Sequence, residues 1–212
     1  MLTLLYHPLS SFCWKVLIAL YERAIPFTPQ LVDLSTDEGR AAFERIWGIG
    51  KFPVLQDTAT GLVLPESSII IEYLDGLGTA PRMIPAGADG LQARLWDRFY
   101  DHYIHQQMQT MIGDRLRPAE AKEPQGVADA RAMMLKAYGI ANATIAGRRW
   151  AAGDAFGLAD CAAAPALHYA NRVIPIAPAY PALADYLARL EARPAFARTL
   201  EEAAPYRHMF PE

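Results

Sequence analysis

Little in this chain suits it to polyanions, disulfides or membranes. Lys and Arg total 20 against 23 Asp and Glu, a formal net charge of -3. The basic residues are scattered, and Arg148-Arg149 is too short to form a patch, so nucleic acid is not an expected partner. Cysteine is scarce: Cys13 and Cys161 are the two in 212 residues. They are far apart in sequence and too few for a disulfide framework, so a reducing, cytoplasmic setting is expected. No run of about 18 apolar residues occurs, and no membrane span is expected. Pro8 interrupts the first apolar run, which lacks a positively charged start, so no export signal is expected either. The five histidines show no metal-ligand spacing. His102 and His105 stand three apart, but no carboxylate-rich group follows them, and no metal is expected.

What is present describes a globular protein: 52% hydrophobic and 20% charged residues. Leu2 to Tyr6 reads as a buried strand and His7 to Ser10 as a loop. Ser11 to Arg23 reads as a helix with Val16, Leu17, Leu20 and Tyr21 on one face. Phe27 to Val32 is a second strand and Thr36 to Trp47 a short helix. Pro53 to Gln56 and Leu62 to Leu64 form a hairpin, and Glu66 to Leu77 a third helix. Gly76, Gly78, Pro81, Pro85, Gly87 and Gly90 then mark a boundary. Everything beyond is helical in pattern: Leu91 to Arg117, Glu120 to Gly147, Ala159 to Ile174 and Pro181 to Arg193. The expected architecture is a small α/β domain over 1–77, a linker over 78–90 and an all-helical domain over 91–212.

Two constellations carry chemistry. The first is Ser10-Ser11-Phe12-Cys13-Trp14, at the start of the first helix. Backbone amides and the helix dipole favour an anion there, and serine is equally a preferred cap. Ser10 and Cys13 have the spacing of a redox CxxC with its attacking thiol replaced by a hydroxyl. The second is Lys51-Phe52-Pro53-Val54 followed by Glu66-Ser67. Extended backbone at Phe52, Pro53 and Val54 can pair with a bound peptide, and a cis Phe52–Pro53 bond would turn the Val54 amide outward for this. Ser67 and the helix amides can donate to a carboxylate, while Glu66 accepts from an ammonium. Together these suit the head group of an α-amino acid.

The whole pattern resembles the cytosolic glutathione transferase family. Ser10 through Leu20 is similar to the first-helix motif of its serine-using classes. Gly50-Lys51-Phe52-Pro53-Val54-Leu55 looks like its cis-proline loop, and Leu64-Pro65-Glu66-Ser67-Ser68 through Leu74 like its most specific motif. Gly157-Leu158-Ala159-Asp160 resembles a helix capping box in which the family has Ser or Thr where this chain has Gly157. The resemblance implies a thioredoxin-like N-terminal domain joined to an all-α C-terminal domain. It implies glutathione as co-substrate, a small electrophile as second substrate, a homodimer and a role in detoxification. Glu66 and Ser67 would hold the γ-glutamyl end, the Val54 backbone the cysteinyl part, and Lys51, or Arg40, the glycyl carboxylate.

The free thiol has a pKa of about 8.5, so a neutral site must stabilise the thiolate. Ser10 fits that role first. Ser11, Tyr6 and Cys13 are the alternatives, and Cys161 reads as helix core. The electrophile is expected over the thiol, near Leu9, Phe12, Tyr103, Gln107 and Met111, with Met108, Ile112 and the tail from Tyr206 to Phe210 close by. The first-helix motif also resembles that of the glutathione-dependent maleylacetoacetate isomerases. A non-catalytic binding module on the same fold is a third reading.

Overall fold

The computed structural model describes residues 1–78 and 82–211. Strand β1 (Leu2–Tyr6), helix α1 (Ser11–Glu22) and strand β2 (Thr28–Leu31) form a parallel βαβ unit. Helix α2 (Asp37–Glu44) leads to the antiparallel hairpin of β3 (Val54–Asp57) and β4 (Leu62–Pro65), then to α3 (Ser67–Asp75). The sheet order is β2-β1-β3-β4. Alternation along the strands divides the core. Leu4 and Leu55 face α1 and α3, whereas Leu5 and Val54 face Phe43 of α2. Helix α1 is buried from Ser11 to Leu20 except at Phe12. A helix apolar on nearly every side needs cover on every side. The sheet supplies one half and the helical domain the other.

That second domain holds α4 (Gly87–Phe99), a π-helical segment (Tyr100–His105), α5 (Gln106–Leu116), α6 (Pro124–Ile145), α7 (Leu158–Val173), α8 (Pro181–Glu191) and α9 (Pro194–Ala203). A 3-10 segment, Ala204–Met209, follows. The helix expected from Leu91 begins earlier, at Gly87, and the wide π turn interrupts it. Helix α9 was not expected as a separate element. Of the expected linker, residues 79–81, including Pro81, lie outside the described residues. Met83 and Ile84 are buried, and their amides donate to the Asp75 carboxylate at 2.7 and 3.2 Å. Arg23 pairs with that carboxylate at 2.9 Å.

The same segment explains Gly157. The Leu158 amide donates to the Met83 carbonyl at 3.0 Å. A Cβ at position 157 would lie 2.4 Å from that oxygen, so serine or threonine does not fit. Asp160 still caps the helix, accepting from the Gly157 amide at 2.9 Å and the Ala151 amide at 2.8 Å. The glycine is therefore a packing requirement of the domain junction.

A buried ionic cluster crosses the same junction. Lys15 of α1 is 0% exposed, pairs with Asp97 and with Asp101 at 2.8 Å, and donates to Ser68 of α3 at 2.9 Å. Arg98 reaches both carboxylates from the solvent side.

Candidate functional site

At the start of α3, Glu66 has φ 70° and ψ 112° and makes no side-chain capping bond. A non-glycine residue in that region is strained, and such strain concentrates at binding sites. The backbone there holds the Glu66 carboxylate in solvent beside the buried Ser67 and the free amides of the helix start. Across from them the chain enters β3 through a cis Phe52–Pro53 bond. Phe12, Lys51, Phe52, Pro53, Glu66 and Ser67 enclose a cavity of about 190 Å³. Its lining includes the Lys51 cation, the Glu66 carboxylate and Ser67 at the N-terminus of α3.

A larger cavity, about 440 Å³, opens beside it. Its lining runs from Leu9, Ser10, Ser11 and Phe52 to His105, Met108, Gln109, Ile112 and Leu116, with Tyr169, Met209 and Phe210 closing the far side. Phe52 belongs to both linings. The floor loop is fixed from below: the Tyr169 hydroxyl donates to the Leu9 carbonyl at 2.8 Å, and the Trp14 indole N–H donates to the Pro8 carbonyl. Tyr169 stacks on Trp14 and, on its other side, on Phe210 of the tail. Arg172 lies 4.6 Å over the Phe210 ring.

Two family patterns match the chain: the glutathione S-transferase N-terminal domain over residues 4–82 and the glutathione S-transferase C-terminal domain over residues 99–194. A probable maleylacetoacetate isomerase of Vibrio cholerae is 32% identical over 209 residues, covering 92% of this chain and 94% of that protein. A glutathione S-transferase-like protein of a Fusarium species is 31% identical over 150 residues, or 69% of this chain and 66% of that protein. The crystal structure of a glutathione S-transferase from Methylobacterium radiotolerans, in complex with glutathione sulfonate, superposes with a TM-score of 0.81. It is 28% identical, and the match covers 93% of each chain.

The chain belongs to the glutathione S-transferase family.

The thioredoxin-like N-terminal domain and helical C-terminal domain of that family are both present. Within this glutathione S-transferase fold, Lys51, Phe52, Pro53, Glu66 and Ser67 share the smaller cavity with Phe12. Phe12 thus lies on that side, not in the larger cavity where it was expected. Val54 is fully buried at the start of β3 and outside the lining. Arg40 is engaged elsewhere, donating to the Leu34 carbonyl and, at 2.6 Å, to Asp37.

Leu9, Ser10 and Ser11 line the larger cavity, but Tyr103, Gln107 and Met111 do not. Tyr103 is exposed, Met111 is buried in the core, and the Gln107 amide donates to the His102 carbonyl at 2.9 Å. The π turn accounts for the change of face. One extra residue in the turn rotates everything after it by about 100° relative to an unbroken helix. Met108, Gln109 and Ile112 face the cavity instead. His105 and Tyr169 were not expected there. A signal for His105 existed: Asp97, Asp101 and His105 recur every four residues, each next to an apolar residue (Trp96, Tyr100, Ile104) of a second row with the same spacing, and polar groups buried beside such a row need partners.

The sulfur-activating candidates differ sharply. Burial pushes the Cys13 thiol up to about 12, and the Tyr6 phenol also rises, through burial and then through Glu202. Neither favours an anion nearby. Ser10 caps α1, its Oγ accepting from the Cys13 amide at 3.3 Å. Among the described residues, no group of His, Cys, Asp and Glu could hold a metal, and no helix is long and apolar enough to cross a membrane.

Proposed function

We propose that the protein is a glutathione transferase that conjugates the glutathione thiolate to a small, neutral, apolar electrophile. One observation carries this reading: a polar cavity and an apolar cavity share Phe52, and the apolar one is lined by the Ser10 and Ser11 side chains. Glutathione lies in the first, its γ-glutamyl ammonium on Glu66, the adjacent carboxylate on Ser67 and the α3 amides, and its glycyl carboxylate toward Lys51. Its cysteinyl part runs along the backbone leading into Val54, which directs the sulfur toward Ser10 and Ser11. Hydroxyl donors and the α1 N-terminus stabilise the thiolate, whose proton leaves to solvent. With a chloronitrobenzene the sulfur bonds to the ring carbon and chloride departs.

Retention on immobilised glutathione, followed by turnover of such a chloronitrobenzene, tests the reading. Binding without turnover of any electrophile would favour a binding module, and absence of binding would sink the proposal. The Vibrio relative favours a second reading, glutathione-dependent isomerisation. There the thiolate adds to a cis double bond, the new single bond rotates, and the thiolate leaves again. Maleylacetoacetate carries two carboxylates, however, and among the described residues the larger cavity has no charged side chain in its lining. Desolvating such an anion without a counter-charge is costly, so conjugation remains the preferred reading.

The functional unit we infer is a homodimer. Val63, Ile69, Leu91 and Leu95 are exposed on β4, α3 and α4, and the Glu72–Arg94 bridge ties α3 to α4 at 2.8 Å. A second copy would cover this apolar face. Leu95→Glu should then halve the mass seen by analytical ultracentrifugation, and a wild-type monomer would refute the assembly. Both cysteines are free and buried, in keeping with a cytoplasmic protein working in a glutathione-reduced pool.

A further inference from the structure

Ser10 and Ser11 are neighbours, yet different groups hold their hydroxyls. Ser10 is half-buried and caps α1. Ser11 is 7% exposed, and its Oγ lies 2.8 Å from Nε2 of His105. His105 closes the π turn and is 2% exposed. Its ring meets that of Phe12 edge-on at 4.7 Å. Its Nδ1 has no hydrogen-bond partner among the described residues.

These contacts settle where the imidazole proton sits. Burial, reinforced by the Lys15 cation of α1, pushes the His105 pKa down to about 3, so the ring is neutral and carries one N–H. On Nδ1 that proton would be a buried donor with nothing to receive it. On Nε2 it meets the Ser11 oxygen and leaves Nδ1 as a bare acceptor. Orphaned buried N–H groups are rarer than under-used acceptors. The Nε2–H form therefore prevails, and Ser11 Oγ is the acceptor in the pair. The Ser11 proton must then point away from the ring. Ser10, Ser11 and His105 all line the larger cavity, so the hydroxyl has open space there.

We propose that His105 is a positioning residue that turns the Ser11 hydroxyl into a donor aimed at the sulfur of bound glutathione. The chain of donors runs from His105 Nε2–H to Ser11 Oγ, and from Ser11 O–H to the thiolate. Each bond polarises the next. The thiolate takes one donor from Ser10 and a second from Ser11, and the histidine neither gains nor loses a proton. The proposal rests on the glutathione reading above.

The test is the thiolate absorbance of bound glutathione against pH, with glutathione affinity measured in parallel by calorimetry. His105→Phe removes the donor and should leave about tenfold less thiolate at a pH below the thiol pKa, the loss of one hydrogen bond to a charge. Glutathione affinity should change less than about twofold, since the histidine does not touch the γ-glutamyl end. His105→Gln puts an amide N–H near the Nε2 position and should restore most of the thiolate. His105→Asn is too short to reach Ser11 and should behave like the Phe variant. A packing role would not separate Gln from Asn. Equal thiolate in the Gln and Asn variants, or a wild-type profile in Ser11→Ala, overturns the proposal. A wild-type protein that binds no glutathione overturns the glutathione reading, and the donor chain falls with it.

Discussion

The two cavities are built in different ways. The smaller one comes from two short stretches, Lys51 to Pro53 and Glu66 to Ser67, plus Phe12. Its chemistry lies largely in backbone, in a helix N-terminus and in one strained φ. The larger one gathers side chains from the β1–α1 loop, the π turn, α5, α7 and the tail. The first is local in sequence and suits one fixed ligand end. The second is assembled from distant segments, and single substitutions can reshape it without touching the first.

The sharpest way to break this contrast is to cut the joint between the halves. Lys15→Met leaves Asp97 and Asp101 buried with only Arg98 as counter-charge. Stability in urea should fall by about 3–5 kcal/mol, and binding in both cavities should weaken together. A loss under about 1 kcal/mol would mean the halves are held mainly by apolar packing.

The helical half should also show its own pH dependence. Burial raises the Asp160 pKa to about 6 in the folded protein, above the ordinary unfolded value near 3.9. The folded state thus holds this proton more tightly. The resulting stabilisation is fully present below about pH 4 and is lost as pH rises through about 6, some 3 kcal/mol in all. Relative to wild type, Asp160→Asn should therefore be most destabilised near pH 4 and least near pH 7. A deficit independent of pH would refute the shifted carboxyl.

Ser67→Ala and Met108→Ala form a crossed pair. Ser67→Ala should weaken glutathione about 10-fold to 100-fold, the range for a hydrogen bond to a charge, and leave the KM of an apolar electrophile unchanged. Met108→Ala should raise that KM several-fold and leave glutathione affinity alone. If either variant moved both constants equally, the cavities would not be independent. The smallest effect expected is at Glu66→Gly. Glycine relieves the positive φ, and thermal stability should rise by about 1 kcal/mol while glutathione affinity falls. Loss of stability instead would place the strain elsewhere.

The βαβ–α–ββα order was legible because short apolar runs are bounded by turn residues such as Pro8, Pro26 and Gly61, and because Ser10 and Thr36 cap α1 and α2. Leu2–Tyr6 has the expected bounds, and β3 and β4 fall within a residue of them. Lys51, Pro53, Glu66 and Ser67, expected in one constellation, line one cavity because local backbone fixes their placement. Tyr103, Gln107 and Met111 were placed by unbroken helical periodicity, which a π turn does not obey.

The sequence by itself determined the family, the two-domain architecture and the polar cavity, because short-range patterns specify strands, turns and helix starts. Only the tertiary structure decided which face of α5 lines the larger cavity and why position 157 must be glycine. It also decided that a histidine 94 residues away holds the Ser11 hydroxyl. Those outcomes depend on groups brought together by packing, and no local pattern encodes which partner a buried polar atom will meet.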